Sequence, residues 1–225
     1  MSKFISKQDE WNKVISELEN ESDKLQSYDY TIIDNLKSVK NLKILDYGAG
    51  PAVMATSLRE LGADIRVYEV SKEMITICQE RLGYDSVYKA PEEIPNNYFD
   101  VILCNLVVCI IEEKEVIDLL SIVEQKLCMN GTIYIGFCNP RIFNIKESKL
   151  DFRIPTGCAY ECNHDYKKIK KEGNYEIVEK HRPIEWYEKQ FKNTGFKVIN
   201  TLFTPKYLLH DYEIQDFIIF ELMKT

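Results

Sequence analysis

Residues 42–55 constrain this chain more than any other stretch. They run Leu42, Lys43, Ile44, Leu45, Asp46, Tyr47, Gly48, Ala49, Gly50, Pro51, Ala52, Val53, Met54, Ala55. The apolar pair Ile44 and Leu45 reads as a buried strand that stops at Asp46, and 52–61 reads as a helix. Between them, Gly48 and Gly50 allow a tight turn whose bare backbone can press against a ligand. The helix N-terminus behind that turn favours negative charge. A glycine pair of this kind is also what any sharp strand-to-helix turn requires, so the next element has to decide between the two readings.

That element is 63–70, which reads as a second strand ending in Glu69, about twenty residues beyond the glycines. In mononucleotide-type βαβ units an acid at that point accepts the hydroxyls of an adenosine ribose. The third glycine of the dinucleotide fingerprint would fall at Val53 and is missing. A Gly48-x-Gly50-x-Ala52 turn followed by a strand-ending acid resembles the class I S-adenosylmethionine-dependent methyltransferases. The resemblance covers about 40–138 and 183–222.

The resemblance implies a Rossmann-like α/β fold: a mostly parallel seven-stranded sheet in the order 3-2-1-4-5-7-6, helices on both faces, and an insertion after strand five. The chain is expected to be a single methyltransferase domain, 1–225, with lid helices in 1–38 and a substrate-covering insertion at 139–182. Strands are expected at 85–88, 99–105, 132–138, 196–203 and 212–222, and helices at 112–128 and 183–194. Within 99–105 the residues 101–104 are continuously apolar, as suits a strand buried on both faces. A further helix at 6–20 places Trp11, Val14, Ile15 and Leu18 on one face.

The resemblance also assigns a cofactor, S-adenosyl-L-methionine, and residues to hold it. Asp46, Gly48, Gly50 and Glu69 form the loop and the ribose acid. Val70 and Met74 border the adenine, although core packing is the plainer role for Met74. Lys89 stands where relatives carry an acid that reads the adenine edge, which leaves the backbone of Ala90 for that contact. Asn105 and Leu106, at the carboxyl end of the fourth strand, face the methionine end. Tyr28 is a further cofactor contact, and Tyr30 a substrate contact.

Composition narrows the partners. A net charge of −7 supplies no basic field for nucleic acid, so no DNA partner is expected. No run is long and apolar enough to span a bilayer. The polar stretch 1–10 lacks a secretory apolar core. Seven cysteines scattered through apolar stretches suit a reducing compartment. These features point to a cytoplasmic protein acting on a small molecule, and a monomer or homodimer is expected. Cys158, Cys162 and His164 match no standard zinc spacing, so no metal is expected. His210 reads as structural.

Residues 139–182 hold the remaining candidates. They carry ten Lys/Arg against seven Asp/Glu, a net of +3 that leaves −10 on the rest of the chain. Such an insertion suits an anionic acceptor (phosphorylated, carboxylated or nucleotide-linked), with Arg141, Arg153, Tyr160 and Arg182 as its contacts. Asn139 lies at the start of the insertion, and the lysine-rich run 167–171 reads as a solvated loop. His181, then His164, are the candidate general bases for a hydroxyl acceptor. A nicotinamide-dependent oxidoreductase, a non-catalytic methyltransferase-like subunit, and protein or RNA methylation remain alternatives. The cysteine pattern predicts that alkylation of the denatured, unreduced protein modifies all seven thiols; a stable disulfide in the freshly purified chain would contradict it.

Overall fold

The computed structural model describes residues 3–5, 13, 28–142, 150–153, 157–170, 175–209 and 211–225. The helix expected at 6–20 and His210 lie outside these residues. In chain order the strands are β1 (Lys3–Ile5), β2 (Lys43–Tyr47), β3 (Asp64–Tyr68), β4 (Val87–Tyr88), β5 (Phe99–Asn105), β6 (Leu127–Cys138), β7 (Leu150–Arg153), β8 (His164–Lys170), β9 (Tyr175–His181), β10 (Phe196–Phe203), β11 (Tyr207–Leu209), β12 (Tyr212–Ile214) and β13 (Phe217–Lys224). The helices are α1 (Tyr30–Leu36), α2 (Val53–Glu60), α3 (Lys72–Leu82), α4 (Glu113–Lys126) and α5 (Ile184–Asn193).

Seven strands form the central sheet in the order β4-β3-β2-β5-β6-β13-β10. Counted along the chain within this sheet, that is the expected 3-2-1-4-5-7-6. The strands from β4 to β6 run parallel, while β13 is antiparallel to both β6 and β10. Alternate side chains of the same strand enter opposite layers, as the two-residue strand period requires. Ile44, Val67 and Leu103 face one apolar layer with Ile32, Leu58 and Cys78. Leu45, Ile102 and Ile133 face the other, with Val116, Leu120, Tyr187 and Phe191. Helices α1, α2 and α3 therefore cover one face, and α4 and α5 the other. Among the described residues no helix is long and apolar enough to cross a membrane.

Three expectations are corrected. The predicted last strand, 212–222, is broken. Residues 212–214 pair with β11 in a separate hairpin, and the sheet strand starts at Phe217. The break is fixed by polar contacts: the Phe217 amide donates to Thr204 Oγ1 and the Tyr207 hydroxyl to Asp216. The run 167–171 is not a solvated loop, because 167–170 lie within β8 of a second sheet, ordered β1-β9-β8-β7. Lys168 is fully buried there. Finally, residues 3–5 form a strand of that sheet, parallel to β9, rather than part of a lid helix.

Tyr28 locks the N-terminal side of the domain onto the central sheet. It is fully buried, meets Phe217 edge-on at 5.0 Å, and lies over Gly136 in β6. A Cβ at Gly136 would sit 1.7 Å from the Tyr28 hydroxyl oxygen. Gly136→Ala is therefore expected to destabilise the fold by about 1–3 kcal/mol through overpacking. In urea unfolding, combining it with Tyr28→Ala should cost less than the sum of the two single changes; strict additivity would refute the contact.

Candidate cofactor and acceptor site

The site is built at the carboxyl ends of β2, β3, β5 and β6, where open α/β sheets bind their ligands. β2 runs into a loop in which Gly48 and Gly50 take φ of +80° and +56°, values that an L side chain adopts only with strain. Gly48 has a second requirement, since its Cβ would lie 2.5 Å from Val107 Cγ2. A Cβ on Gly50 would enter open space, so the loop backbone is bare on that side. Ala52, also left-handed, precedes α2, and no side chain caps that helix.

Glu69 organises the loop. Its Oε2 accepts the Gly50 amide at 2.8 Å, and its Oε1 accepts the Val70 and Ser71 amides at 2.7 and 2.9 Å. Burial pushes the carboxyl up from its ordinary value, and the amides of Ser71, Gly50 and Val70 pull it back part of the way. A carboxylate offers about four acceptor positions. With three of them taken, Oε2 keeps room for one further donor. Beside it, Val70 exposes about half of its apolar surface at the rim, whereas Met74 is buried behind the turn. Asp46 is buried at the end of β2. The Ala90 amide is turned toward Glu93 Oε2, at a long 3.4 Å.

At the end of β5, Asn105 Oδ1 accepts from the Tyr28 hydroxyl at 2.9 Å, and its Nδ2 lies 3.3 Å from Met54 Sδ. Tyr28 is therefore a positioning residue beneath the site, a correction to its expected contact with the cofactor. Tyr30 is exposed on α1. Leu106 takes a left-handed φ of +60°, a conformation worth about 1–3 kcal/mol of strain in a side-chain-bearing residue. The Gly136 carbonyl holds it by accepting the Leu106 amide at 2.8 Å. That turn carries Val107 against Gly48, so the ends of β2 and β5 are shaped together.

The second sheet lies against the ends of β5 and β6. The Lys180 amide donates to the Cys109 carbonyl at 2.7 Å, and Lys168 reaches Cys138, the last residue of β6. Arg182 is buried, and its guanidinium donates to the carbonyls of Val108 and Ile111 at 2.8 and 2.6 Å while lying over Trp186. This corrects its expected role. It braces the 106–111 loop rather than presenting its charge to a ligand. The two histidines face each other across β8 and β9, their rings 4.7 Å apart and close to parallel. His181 Nε2 is 2.7 Å from the Tyr160 carbonyl and His164 Nδ1 is 2.8 Å from that of Cys162. The Tyr160 hydroxyl accepts the Ile184 amide and donates to Glu185.

Arg141 is exposed near Tyr160 and, with Asn139, opens the insertion. Asn139 is buried and spends its side chain on Gln215 and the Arg141 amide. Arg153 is aligned with Lys167 on neighbouring strands. The structure thus groups Arg141, Tyr160, His164 and His181 on one side, and the glycine loop with Glu69, Val70, Asn105 and Leu106 on the other. Among the described residues no cluster of three or more His, Cys, Asp or Glu is arranged to hold a metal. Sequence reasoning missed Tyr166, Lys168 and Glu179, which lie buried together under the second sheet. The signal was present in 175–181, where Tyr175, Ile177, Glu179 and His181 alternate inward.

Comparison with known proteins agrees with this geometry. Residues 45–135 match a family profile described as a methyltransferase domain. No curated protein matches the chain. An S-adenosylmethionine-dependent methyltransferase from Mesorhizobium loti superposes with a TM-score of 0.63 at 17% identity, covering 83% of this chain and 93% of that one. The 1,6-didemethyltoxoflavin-N1-methyltransferase of Burkholderia thailandensis, solved with its acceptor and S-adenosylhomocysteine, gives 0.63 at 12% identity over 96% and 84% of the two chains. A further S-adenosylmethionine-dependent methyltransferase, from Archaeoglobus fulgidus, gives 0.61 at 14% identity over 87% and 92%. The fold is that of the class I S-adenosylmethionine-dependent methyltransferases, and within it residues 45–135 carry the match to the methyltransferase-domain profile.

Burial lowers the His181 pKa from its ordinary 6.5; the Tyr160 carbonyl opposes the shift and His164 reinforces it. A depressed folded-state pKa gives stability that is present above the unfolded value and lost as pH falls through the folded one. Stability should therefore drop as pH falls below about 6.5, and His181→Phe should flatten that acid limb in urea titrations. An unchanged limb would remove His181 from the account.

Proposed function

We propose that the chain transfers the methyl group of S-adenosylmethionine to a small-molecule acceptor seated between the glycine loop and the insertion 139–182. The observation that carries this reading is the bare Gly50 backbone held by Glu69 beside the exposed Val70. An adenosine fits that arrangement, with a ribose hydroxyl donating to the remaining position on Glu69 Oε2 and the adenine against Val70. Gly48, Asp46 and the Ala90 backbone complete the cradle, and Asn105 and Leu106 border the methionine end. The cofactor, when bound, supplies an electrophilic methyl on a sulfonium. The chain's own contribution is to hold an acceptor atom in line behind that methyl, roughly 3 Å away, and such positioning can supply much of the acceleration.

The acceptor reading rests on charge. With Arg182 committed to main-chain carbonyls and Lys168 to Glu179, the exposed Arg141, beside Tyr160, is the leading cation for an anionic group, and Arg153 is kept from the sequence as a second. His181, neutral at pH 7, is kept as a base for a hydroxyl acceptor. If Nε2 carries the proton toward Tyr160, Nδ1 is the acceptor. Seven free thiols favour a reducing, cytoplasmic setting. The acidic body argues against DNA.

Calorimetry tests the cofactor reading: S-adenosylmethionine or S-adenosylhomocysteine should bind and NAD should not. Glu69→Ala should weaken binding by about ten- to a hundredfold, from the loss of a charged hydrogen bond worth roughly 1.5–3 kcal/mol. Part of that loss will reflect release of Gly50, so Glu69→Gln should fall between the two. Unchanged affinity in folded Glu69→Ala protein would end the assignment. Arg141→Ala should weaken an anionic acceptor while leaving cofactor affinity nearly unchanged.

A further inference from the structure

Under the second sheet lies a cluster that methyl transfer does not use. Cys138 Sγ is 2.8 Å from Lys168 Nζ, and the same ammonium pairs with Glu179, whose other oxygen accepts from the Tyr166 hydroxyl. All four side chains are buried. Cys138 also lines a small cleft, together with Cys109, Phe137, Tyr166, His181 and Tyr187. The cleft has room for roughly one water-sized molecule. Two properties follow. An ammonium in contact with the sulfur favours the thiolate, which is the form that reacts with oxidants. A cleft of that size excludes glutathione, so in the folded protein a Cys138 oxidised by a small peroxide cannot be capped by a soluble thiol.

We propose that Cys138 and Lys168 form a peroxide-responsive covalent pair that ties the end of β6 to β8. The Cys138 thiolate attacks one oxygen of hydrogen peroxide. The O–O bond breaks and an S–O bond forms, and the departing hydroxide takes a proton from the Lys168 ammonium to leave as water. The pair is now a sulfenic acid facing a neutral amine. The amine nitrogen then attacks sulfur, an S–N bond replaces the S–O bond, and the sulfenic hydroxyl leaves as a second water with a proton from nitrogen. Sulfur is oxidised by two electrons, one peroxide is reduced to two waters, and the chain loses two hydrogens. The same capture by a nitrogen is known for backbone amides. Here the side-chain amine is already in contact. Once the chain is unfolded the link is reversible, since two thiol equivalents then return Cys138 and Lys168.

The test is peptide mapping of the full chain after limiting peroxide, denaturation and alkylation. The expected product is a crosslinked pair of peptides carrying residues 138 and 168, two hydrogens lighter than their sum and released by dithiothreitol, with the other six cysteines alkylated. It should be absent from Cys138→Ser. In Lys168→Arg, Cys138 should be oxidised without a crosslink. Should Lys168→Arg fail to fold, the wild-type map decides alone. Seven alkylated cysteines after peroxide, a Cys109–Cys138 disulfide, or Cys138 recovered only as sulfinic or sulfonic acid would each overturn the proposal.

Discussion

One buried carboxylate sets the geometry on which the rest of the site depends. Glu69 directly follows β3, and its oxygens reach the amide of Gly50 on the neighbouring loop and two amides of its own turn. Burying such a group is costly unless it is hydrogen-bonded, and here the backbone supplies the bonds. The left-handed glycine turn is therefore held open before any ligand arrives. A preformed loop leaves less ordering cost to be met on binding. The Gly48 amide adds to the same clamp by donating to the Tyr68 carbonyl at 2.8 Å.

The second sheet is held by a different kind of bond. Arg182 fastens two carbonyls of the 106–111 loop, and Lys180 bridges Glu112 at the start of α4 and Asp165 of β8. The bridge lies nearer the surface and contributes little by itself. The Arg182 contacts and the Lys168–Glu179 pair are fully buried. Removing one partner of a buried ion pair costs about 3–5 kcal/mol, because the remaining charge is stranded. Charge and main-chain contacts thus join the insertion to the strand ends, through Arg182 to the 106–111 loop and Lys168 to Cys138.

The central sheet was legible because its signals are local. A strand–glycine–helix turn, an acid at the next strand end and a buried apolar β5 each appear in a few consecutive residues. The insertion was hidden because its strands are written in charge. Lys167, Lys168 and Lys170 look solvated until Glu179 of β9 and Cys138 of β6 are brought onto the middle one, and those partners come from other strands. Arg182 misled for the same reason. Its positive charge suggested an anion, whereas its ligands are carbonyls of a loop some seventy residues earlier, and carbonyls leave no trace in sequence. Tyr28 was expected at the cofactor, whereas it is buried with its hydroxyl on Asn105, in space cleared by the missing side chain of Gly136, and a missing side chain on a distant strand leaves no local signal.

The pairing of Lys3–Ile5 with Tyr175–Ile177 has a consequence for how the molecule is made. β1 leaves the ribosome well before β9, the strand it pairs with among the described residues, so that pairing waits while the parallel units from β2 to β6 take shape. Contacts so distant along the chain carry a high closure cost and form slowly. Assembly of the smaller sheet is thereby made a late event. The surface that covers the strand ends can be completed only after the parallel strands whose ends it covers, β5 and β6, have been made.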